Sequence, residues 1–182
     1  MPDFNDLLES QIPRLRRYSR ALTRDTQRAD DLVQDTLVRA LMKQDRWEPG
    51  TNLRAWLFTL MHNQFVNNVR RANRETGTID IDDVSSSLVA TTDPTASRQL
   101  YELERALAQL AAEQREVILL VGLEGFSYED AAKILAVPVG TVRSRLSRGR
   151  ESLRRQFGTE DAIDPSASQN RPKRDQGTGA QL

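Results

Sequence analysis

The chain has 182 residues, enough for one domain or two small ones, and its 26 basic and 26 acidic side chains give a formal net charge of zero. It has no cysteine and one histidine, His62, which excludes disulfides and thiol chemistry and argues against a zinc site. No apolar run approaches the ~20 residues needed to span a bilayer, and the N-terminus lacks the apolar core of a signal peptide. We therefore expect a cytoplasmic protein without a membrane segment.

The zero net charge hides regions of different sign. Met1–Glu75 has 13 basic against 10 acidic residues, Thr76–Ala96 has four aspartates and no base, and Ser97–Phe157 has 10 basic against 8 acidic residues. Because nucleic acids respond to local clusters of positive charge, the overall balance does not exclude nucleic-acid binding.

Two helices are predicted in the first 43 residues. Apolar residues from Phe4 to Leu22 lie near helical spacing, but Pro13 lacks an N–H, so we expect a short first turn or helix and then a helix that begins near Pro13. Asp25 is predicted to cap a second helix that runs to about Lys43. No histidine or second carboxylate cluster accompanies the acidic outer stripe of this helix, which favours a protein-docking ridge or a solvated face over a metal or acid–base site.

A long third helix is predicted after the turn Trp47–Gly50, capped by Thr51 or Asn52 and running from Leu53 to about Arg74. Amides and arginines recur on one of its faces at i, i+4, i+7 and i+11. Amides can hydrogen-bond base edges and arginines can hold phosphates, so nucleic-acid contact and a plain polar surface are about equally supported here. The face consists of Asn63, Asn67, Arg70 and Arg74, with Gln64, Asn68 and Arg71 alongside.

The stretch from Thr76 to Thr92 is rich in Thr, Ser and Asp and has no helical period, which is typical of a flexible linker. A fourth helix is predicted to begin at Asp93-Pro94. Its apolar face is Ala96, Leu100, Leu103, Leu107 and Leu110. A buried helix from Glu113 to Leu123 follows and ends near Gly125.

Ser127 to Arg155 predicts two helices joined by a short turn. Ser127 and Asp130 form a capping-box pattern, Ala136-Val137 is the break, and Pro138 fits the first turn of the second helix. The apolar face of that second helix is Val139, Val142, Leu146 and Leu153, and its polar face is Arg143, Ser144, Ser147 and Arg148. A cationic helix with short polar groups after a tight turn suits a DNA major groove, whereas the simpler interpretation is an amphipathic hairpin with a solvated arginine face.

The predicted fold class is therefore all-α, with two small helical domains joined by a flexible linker. The expected boundaries are 1–75 for the first domain, 76–93 for the acidic linker, 94–157 for the second domain and 158–182 for a polar, disordered tail.

This arrangement resembles the extracytoplasmic-function (ECF) class of bacterial RNA polymerase sigma factors. ADDLVQDTLVRAL (29–41) is similar to the acidic helix of the σ2 domain, and NLRAWLFTLMHNQFVNNVRR (52–71) is similar to its promoter-melting helix. Leu110–Arg154 resembles the whole core of the σ4 domain, which is the most specific of the three motifs. Together with flanking helices the resemblance covers roughly 7–74 and 94–157, in the order found in the family.

The resemblance implies a role for each matching residue. Core RNA polymerase would be bound by Asp31, Gln34 and Asp35, supported by Arg54 and Trp56. The −10 strand would be bound by Asn63 and Asn67, with Arg70, Arg71 and Arg74 on adjacent phosphates. The −35 duplex would be read by Arg143, Ser144, Ser147 and Arg148.

The resemblance also implies a dissociable specificity subunit rather than an enzyme, with core RNA polymerase, promoter DNA and an anti-sigma factor as partners. We expect a monomer when free, no cofactor and no metal. The alternative is a transcriptional regulator with a LuxR-like helix-turn-helix. Such a regulator would need an α/β sensing or receiver domain, and no convincing strand precedes the helices.

Overall fold

The computed structural model describes residues 3–76 and 94–157. Within these two ranges the chain forms α-helices and no strand, in agreement with the predicted all-α class. The predicted tail (158–182), and the predicted linker apart from Thr76, lie outside the described residues. The N-terminal unit comprises α1 (Phe4–Thr23), α2 (Thr26–Met42), a 3₁₀ turn (Gln44–Arg46) and α3 (Leu53–Thr76). The C-terminal unit comprises α4 (Pro94–Ala108), α5 (Ala112–Ile118), a π-helical turn (Leu119–Leu123), α6 (Tyr128–Leu135) and α7 (Val139–Phe157).

Helix α1 is continuous through Pro13, so the prediction of a separate helix beginning there is wrong. Proline in a helix interior removes one hydrogen bond and strains the turn before it, at a cost of about 3 kcal/mol. Here Pro13 lies on the exposed side, while Leu8, Leu15, Tyr18 and Leu22 are buried on both sides of it along the chain. Packing of this stripe against α2 and α3 offsets the local cost.

Side-chain caps set the starts of several helices where the sequence predicted them. Asp25 accepts a hydrogen bond from the backbone N–H of Arg28 at 2.7 Å, and Asn52 accepts one from that of Ala55 at 3.0 Å. Ser127 likewise accepts from the N–H of Asp130 at 3.0 Å. Such local hydrogen bonds satisfy donors that the helix leaves free, which is why short motifs predict them.

The two units share one apolar core. Tyr18 on α1 stacks edge-on against Phe58 on α3, with ring centroids 4.9 Å apart, and Phe58 stacks in the same way on Phe126 of the C-terminal unit at 5.0 Å. These aromatic contacts continue into a cluster that includes Leu57, Val117 and other buried residues of both units. Helix α3 packs on α6, so the C-terminal unit closes over the N-terminal one.

Helix α4 is covered over only part of its predicted apolar face. Leu107 and Leu110 are buried, but Leu100 and Leu103 remain 40% and 41% exposed. Arg115 of α5, which is only 5% exposed, provides hydrogen-bond donors for the C-terminal end of this helix. Its guanidinium donates to the carbonyls of Leu107, Ala108 and Leu110 at 2.8–3.0 Å. The end of α4 is thus tied to α5 by a buried cation.

Candidate nucleic-acid interface

The helix-turn-helix is formed by α6, α7 and the residues between them. Ala136 ends α6 in the left-handed conformation with φ of 52°, and its N–H donates to carbonyls of the last helical turn. The Pro138 carbonyl then accepts from Thr141 and Val142, which starts α7. This turn aims α7 so that Val142 and Leu146 are buried against the rest of the unit.

The opposite side of α7 carries the predicted duplex-reading residues. Arg143, Ser147 and Arg148 are exposed, and Ser144 is half-buried. The Ser144 hydroxyl donates to the Thr141 carbonyl at 3.0 Å, which keeps that side chain short against its own helix. The exposed side chains of Arg143, Ser147 and Arg148 therefore lie on a surface that a DNA groove could approach closely.

A concavity of about 220 Å³ adjoins this surface. Its lining is strongly cationic and consists of Tyr128, Arg143, Leu146, Ser147, Arg150 and Arg154. The Arg143 guanidinium carbon lies 6.0 Å from the centroid of the Tyr128 ring, and Arg154 lies 3.5 Å from the Glu151 carboxylate. Such a lining suits phosphate oxygens. Arg150 and Arg154 lie outside the face that the sequence predicted for duplex reading.

The amide-and-arginine face of α3 is also exposed. Asn63, Asn67 and the arginines after them point away from the core, and Arg74 Nε donates to the Arg70 carbonyl at 3.3 Å. Gln64, which the sequence placed alongside this face, is instead buried at the contact with α2. The structure therefore brings together on one outer surface Asn63, Asn67, Arg70, Arg71 and Arg74.

The predicted polymerase-docking residues divide into three on α2 and two on α3. Asp31, Gln34 and Asp35 are exposed on α2. Trp56 is half-buried and its ring lies 6.4 Å from that of Phe4. Arg54 is not part of the α2 surface, because it reaches into the junction between the two units.

That junction is built around Glu124, which directly follows the π-helical turn and is only 3% exposed. Arg17 donates to its Oε1 from Nε at 3.2 Å and from Nη2 at 2.8 Å. Arg54 Nη2 lies 3.6 Å from Oε2 and also donates to the Glu124 backbone carbonyl, and Arg14 Nη1 lies 3.9 Å from Oε2. Three arginines of the N-terminal unit thus surround one carboxylate of the C-terminal unit.

Two further contacts cross the junction. His62 Nδ1 lies 2.5 Å from Glu116 Oε1, and the Arg54 guanidinium carbon lies 4.2 Å from the centroid of the Phe126 ring. Sequence reasoning missed these residues as a group. The available signal was a glutamate, Glu124, within an otherwise apolar stretch before a glycine, but nothing local identifies its arginine partners.

Burial at the junction changes two ionisation equilibria. Burial, then the charges of Glu116 and Glu124, raise the pKa of the Tyr18 phenol well above its ordinary value of 10.0. Burial lowers the pKa of the Arg54 guanidinium below its ordinary value, and the charge of Glu124 opposes that effect. Arginine remains charged at any physiological pH, so Arg54 stays a cation at the junction.

Neither a metal cluster nor a membrane helix accompanies these surfaces in the described part of the chain. Residues 3–76 and 94–157 contain no group of three or more His, Asp or Glu side chains arranged to hold a metal ion. No helix within those ranges combines the length and apolar character that crossing a bilayer requires.

Two family models match the chain, one for each unit. The Sigma2 domain of PhyR matches residues 8–62, and Sigma-70, region 4 matches residues 100–153. Among curated proteins, the ECF RNA polymerase sigma factor EcfG of Rhodopseudomonas palustris is 40% identical over 167 residues, which cover 87% of this chain and 91% of the relative.

Solved structures give the same match. The sigma factor RpoE in complex with the anti-sigma factor NepR, from Bartonella quintana, has a TM-score of 0.77 and 40% identity over 88% of this chain and all of that one. CnrH in complex with the cytosolic domain of CnrY has a TM-score of 0.63 and 26% identity, over 87% of this chain and 89% of that one.

Proposed function

Because the chain belongs to the extracytoplasmic-function (ECF) group of RNA polymerase sigma factors, we propose that its two exposed faces divide promoter recognition between them. The helix-turn-helix of the C-terminal unit binds the −35 element, and the amide-and-arginine face of α3 binds the −10 element. The observation that carries this proposal is the presence in one chain of two separate outward faces with different chemistry, one rich in arginine and serine and one rich in asparagine.

The −35 contact uses the polar face of α7. Arg143 and Arg148 present guanidinium forks that match guanine or phosphate, while Ser144 and Ser147 are short enough to let the helix enter the major groove. The neighbouring concavity, with Arg150 and Arg154, holds backbone phosphates and fixes the register of the helix on the duplex.

The −10 contact uses α3. Asn63 and Asn67 hydrogen-bond bases that have left the stack, and Arg70, Arg71 and Arg74 hold the adjacent phosphates. Capture of unstacked bases shifts the duplex toward its open form without ATP, because a ligand that binds one state moves the equilibrium toward that state.

Core polymerase is bound by α2 through Asp31, Gln34 and Asp35, with Arg54 and Trp56 in support. Holding both units on one polymerase makes the second promoter contact effectively intramolecular, so two weak sites act as one strong site. The chain supplies recognition and no catalytic group of its own. It acts in the cytoplasm, where polymerase and promoter DNA are found, and it is a monomer when free.

An anti-sigma factor is the further partner in this proposal. The support is that the similar structures are sigma factors in complex with such factors, RpoE with NepR and CnrH with CnrY. A bound anti-sigma factor would keep the chain away from polymerase until the anti-sigma factor dissociates.

The experiment that tests the function is gel filtration of the purified chain with core RNA polymerase, followed by transcription from a promoter library. A stoichiometric complex that initiates at a defined set of promoters is the expected result. Failure to bind core, together with self-association and tight duplex binding, would instead indicate a dimeric helix-turn-helix regulator.

A further inference from the structure

Glu124 occupies an unusual position for a carboxylate. It is almost fully buried, although all the arginines around it belong to the other unit and two of them, Arg14 and Arg17, are about half exposed. A buried carboxylate without partners is strongly unfavourable, whereas the same group in water has no such cost. The Glu124 carboxylate is therefore stabilised in only two arrangements: paired with the arginines when the two units are in contact, or fully hydrated when they are apart.

Backbone hydrogen bonds hold the chain at Glu124 and just after it, and so orient the Glu124 side chain toward the N-terminal unit. The N–H of Glu124 donates to the Leu119 carbonyl at 3.0 Å, and the N–H of Phe126 donates to that of Leu120 at 3.0 Å. These bonds fix the carboxylate and the Phe126 ring on the same side of the unit. Arg54 meets both, because it donates to the Glu124 carbonyl and lies over the Phe126 ring.

The closed arrangement conflicts with the span of a promoter. The −35 and −10 elements are centred roughly 25 base pairs apart, which is about 85 Å of B-DNA at about 3.4 Å per base pair. A compact chain of 182 residues has a radius of gyration of about 16 Å and is roughly 40 Å across. With α3 packed directly on α6, the two promoter-binding faces cannot reach both elements at once.

Opening is covalently possible. Seventeen residues separate Thr76, the last of α3, from Pro94, the first of α4. Fully extended, they can span about 60 Å. Together with the dimensions of the two units, this reach covers the distance that a promoter requires.

We propose that Glu124, held by Arg14, Arg17 and Arg54, is an intramolecular latch that keeps the free chain closed, and that polymerase binding requires the latch to open. Arg54 has a role in both forms. In the closed form it contacts Glu124, and in the open form it supports polymerase binding, so it cannot do both at once. In the closed chain the two promoter-binding faces are exposed but cannot engage both elements at once, and the polymerase-bound chain is the form that reads both elements. The second half of this proposal rests on the proposed function; the first half does not.

The test measures the separation of the two units directly. Because the chain has no native cysteine, a donor and an acceptor dye can be attached to the full-length protein through Gln44→Cys and Gln156→Cys, which are both exposed and are not among the junction residues. Energy transfer is compared in the parent chain, in Glu124→Gln and in Arg17→Gln. The control is Glu113→Gln, which removes a carboxylate 3.1 Å from Arg145 but leaves the junction intact.

Glu124→Gln should lower energy transfer, Arg17→Gln should lower it partly, and the two together should do no more than Glu124→Gln alone, because they break one contact. Glu113→Gln should change nothing. Unchanged transfer in both junction variants overturns the latch. Should Glu124→Gln fail to fold, as judged by circular dichroism, the half-exposed Arg17 variant still decides the question.

The same labelled proteins are then titrated with core polymerase. If the closed form dominates in the free chain, Glu124→Gln should bind core about tenfold more tightly, since apparent affinity scales with the fraction of competent molecules. Opened units with unchanged core affinity would refute the gating role. Opened units in a chain that binds no polymerase would refute the proposed function and leave the latch standing.

Discussion

The Gln64 side chain on α3 donates from Nε2 to Asp35 Oδ2 on α2 at 2.9 Å, and the same nitrogen donates to Asn68 Oδ1 at 3.1 Å. One buried amide thus joins the predicted polymerase-docking helix to the helix of the predicted −10 face. Substitutions at Asp35 therefore act on both surfaces, and charge must be separated from hydrogen bonding in any test of docking.

Asp35→Arg should weaken core polymerase binding at least tenfold, because it reverses a charge in the acidic stripe proposed to dock on polymerase and removes the acceptor for Gln64. Asp35→Asn keeps an acceptor oxygen and removes only the charge, so it should have a smaller effect. Affinity is measured by fluorescence titration of labelled protein. Asp45→Arg, an exposed change of the same charge after α2, is the control. Equal losses in Asp45→Arg and Asp35→Arg would mean that the docking surface is wrongly placed.

Arg148→Ala should lower transcription from promoters that depend on the −35 element by roughly 5- to 150-fold, which corresponds to the ~1–3 kcal/mol of one base-specific contact. Core binding should not change. Arg105→Ala, which removes an exposed arginine from α4, is the control for lost positive charge. The measurement is abortive initiation alongside core titration. Parallel loss of core affinity would contradict the assignment of Arg148 to DNA alone.

Tyr18 should make the protein sensitive to alkaline pH. Its folded pKa is raised by burial, so its contribution to stability is fully present below pH 10.0 and is lost as the pH rises above that value, by up to about 1.4 kcal/mol per pH unit. Tyr18→Phe keeps the ring against Phe58 and removes a buried hydroxyl that has no hydrogen-bond partner within the described residues. The variant should match or exceed the parent near pH 7.

The measurement for Tyr18 is urea unfolding of parent and variant between pH 7 and 11. The difference between the two should grow above pH 10 in favour of Tyr18→Phe. A constant difference across that range would show that the phenol ionises without unfolding the chain, and the assigned burial would then be wrong.

Arg115→Gln should destabilise the chain by about 3 kcal/mol or more, because the carbonyls at the end of α4 lose a charged donor in a buried site. Arg115→Lys should recover only part of this loss, since an ammonium cannot reproduce the guanidinium fork. The control is Arg98→Gln, which breaks an exposed pair with Glu102 at 3.0 Å and should cost less than about 1 kcal/mol. Denaturant unfolding compares the three variants.

The sequence was informative where structure depends on near neighbours. The caps at Asp25, Asn52 and Ser127 were predicted, and the outward position of Asn63 and Arg148 followed from helical period alone. Their roles at a promoter stay predictions. The break at Pro13 was wrong because a buried stripe on both sides of the proline outweighs its local preference for a helix start.

What could not be predicted depends on distant pairing. The ion pair between Arg17 and Glu124 joins residues 107 apart, and no spacing rule connects them. The same holds for His62 and Glu116, because a lone histidine on a helix gives no sign of a partner in another unit. Leu100 and Leu103 share the period of a buried face, yet that face is longer than the surface that covers it.

The long separation between Arg17 and Glu124 also has a consequence for synthesis on the ribosome. At about 5–20 residues per second, the ribosome needs roughly 5–20 s to add the 107 residues between them. Once Thr76 has been added, α1, α2 and α3 are complete, and Arg14, Arg17 and Arg54 have no Glu124 carboxylate to meet until the ribosome has added 48 more residues. During synthesis each molecule therefore passes through a period in which its N-terminal unit is not covered by the C-terminal unit. The contact between the two units can form only late in translation.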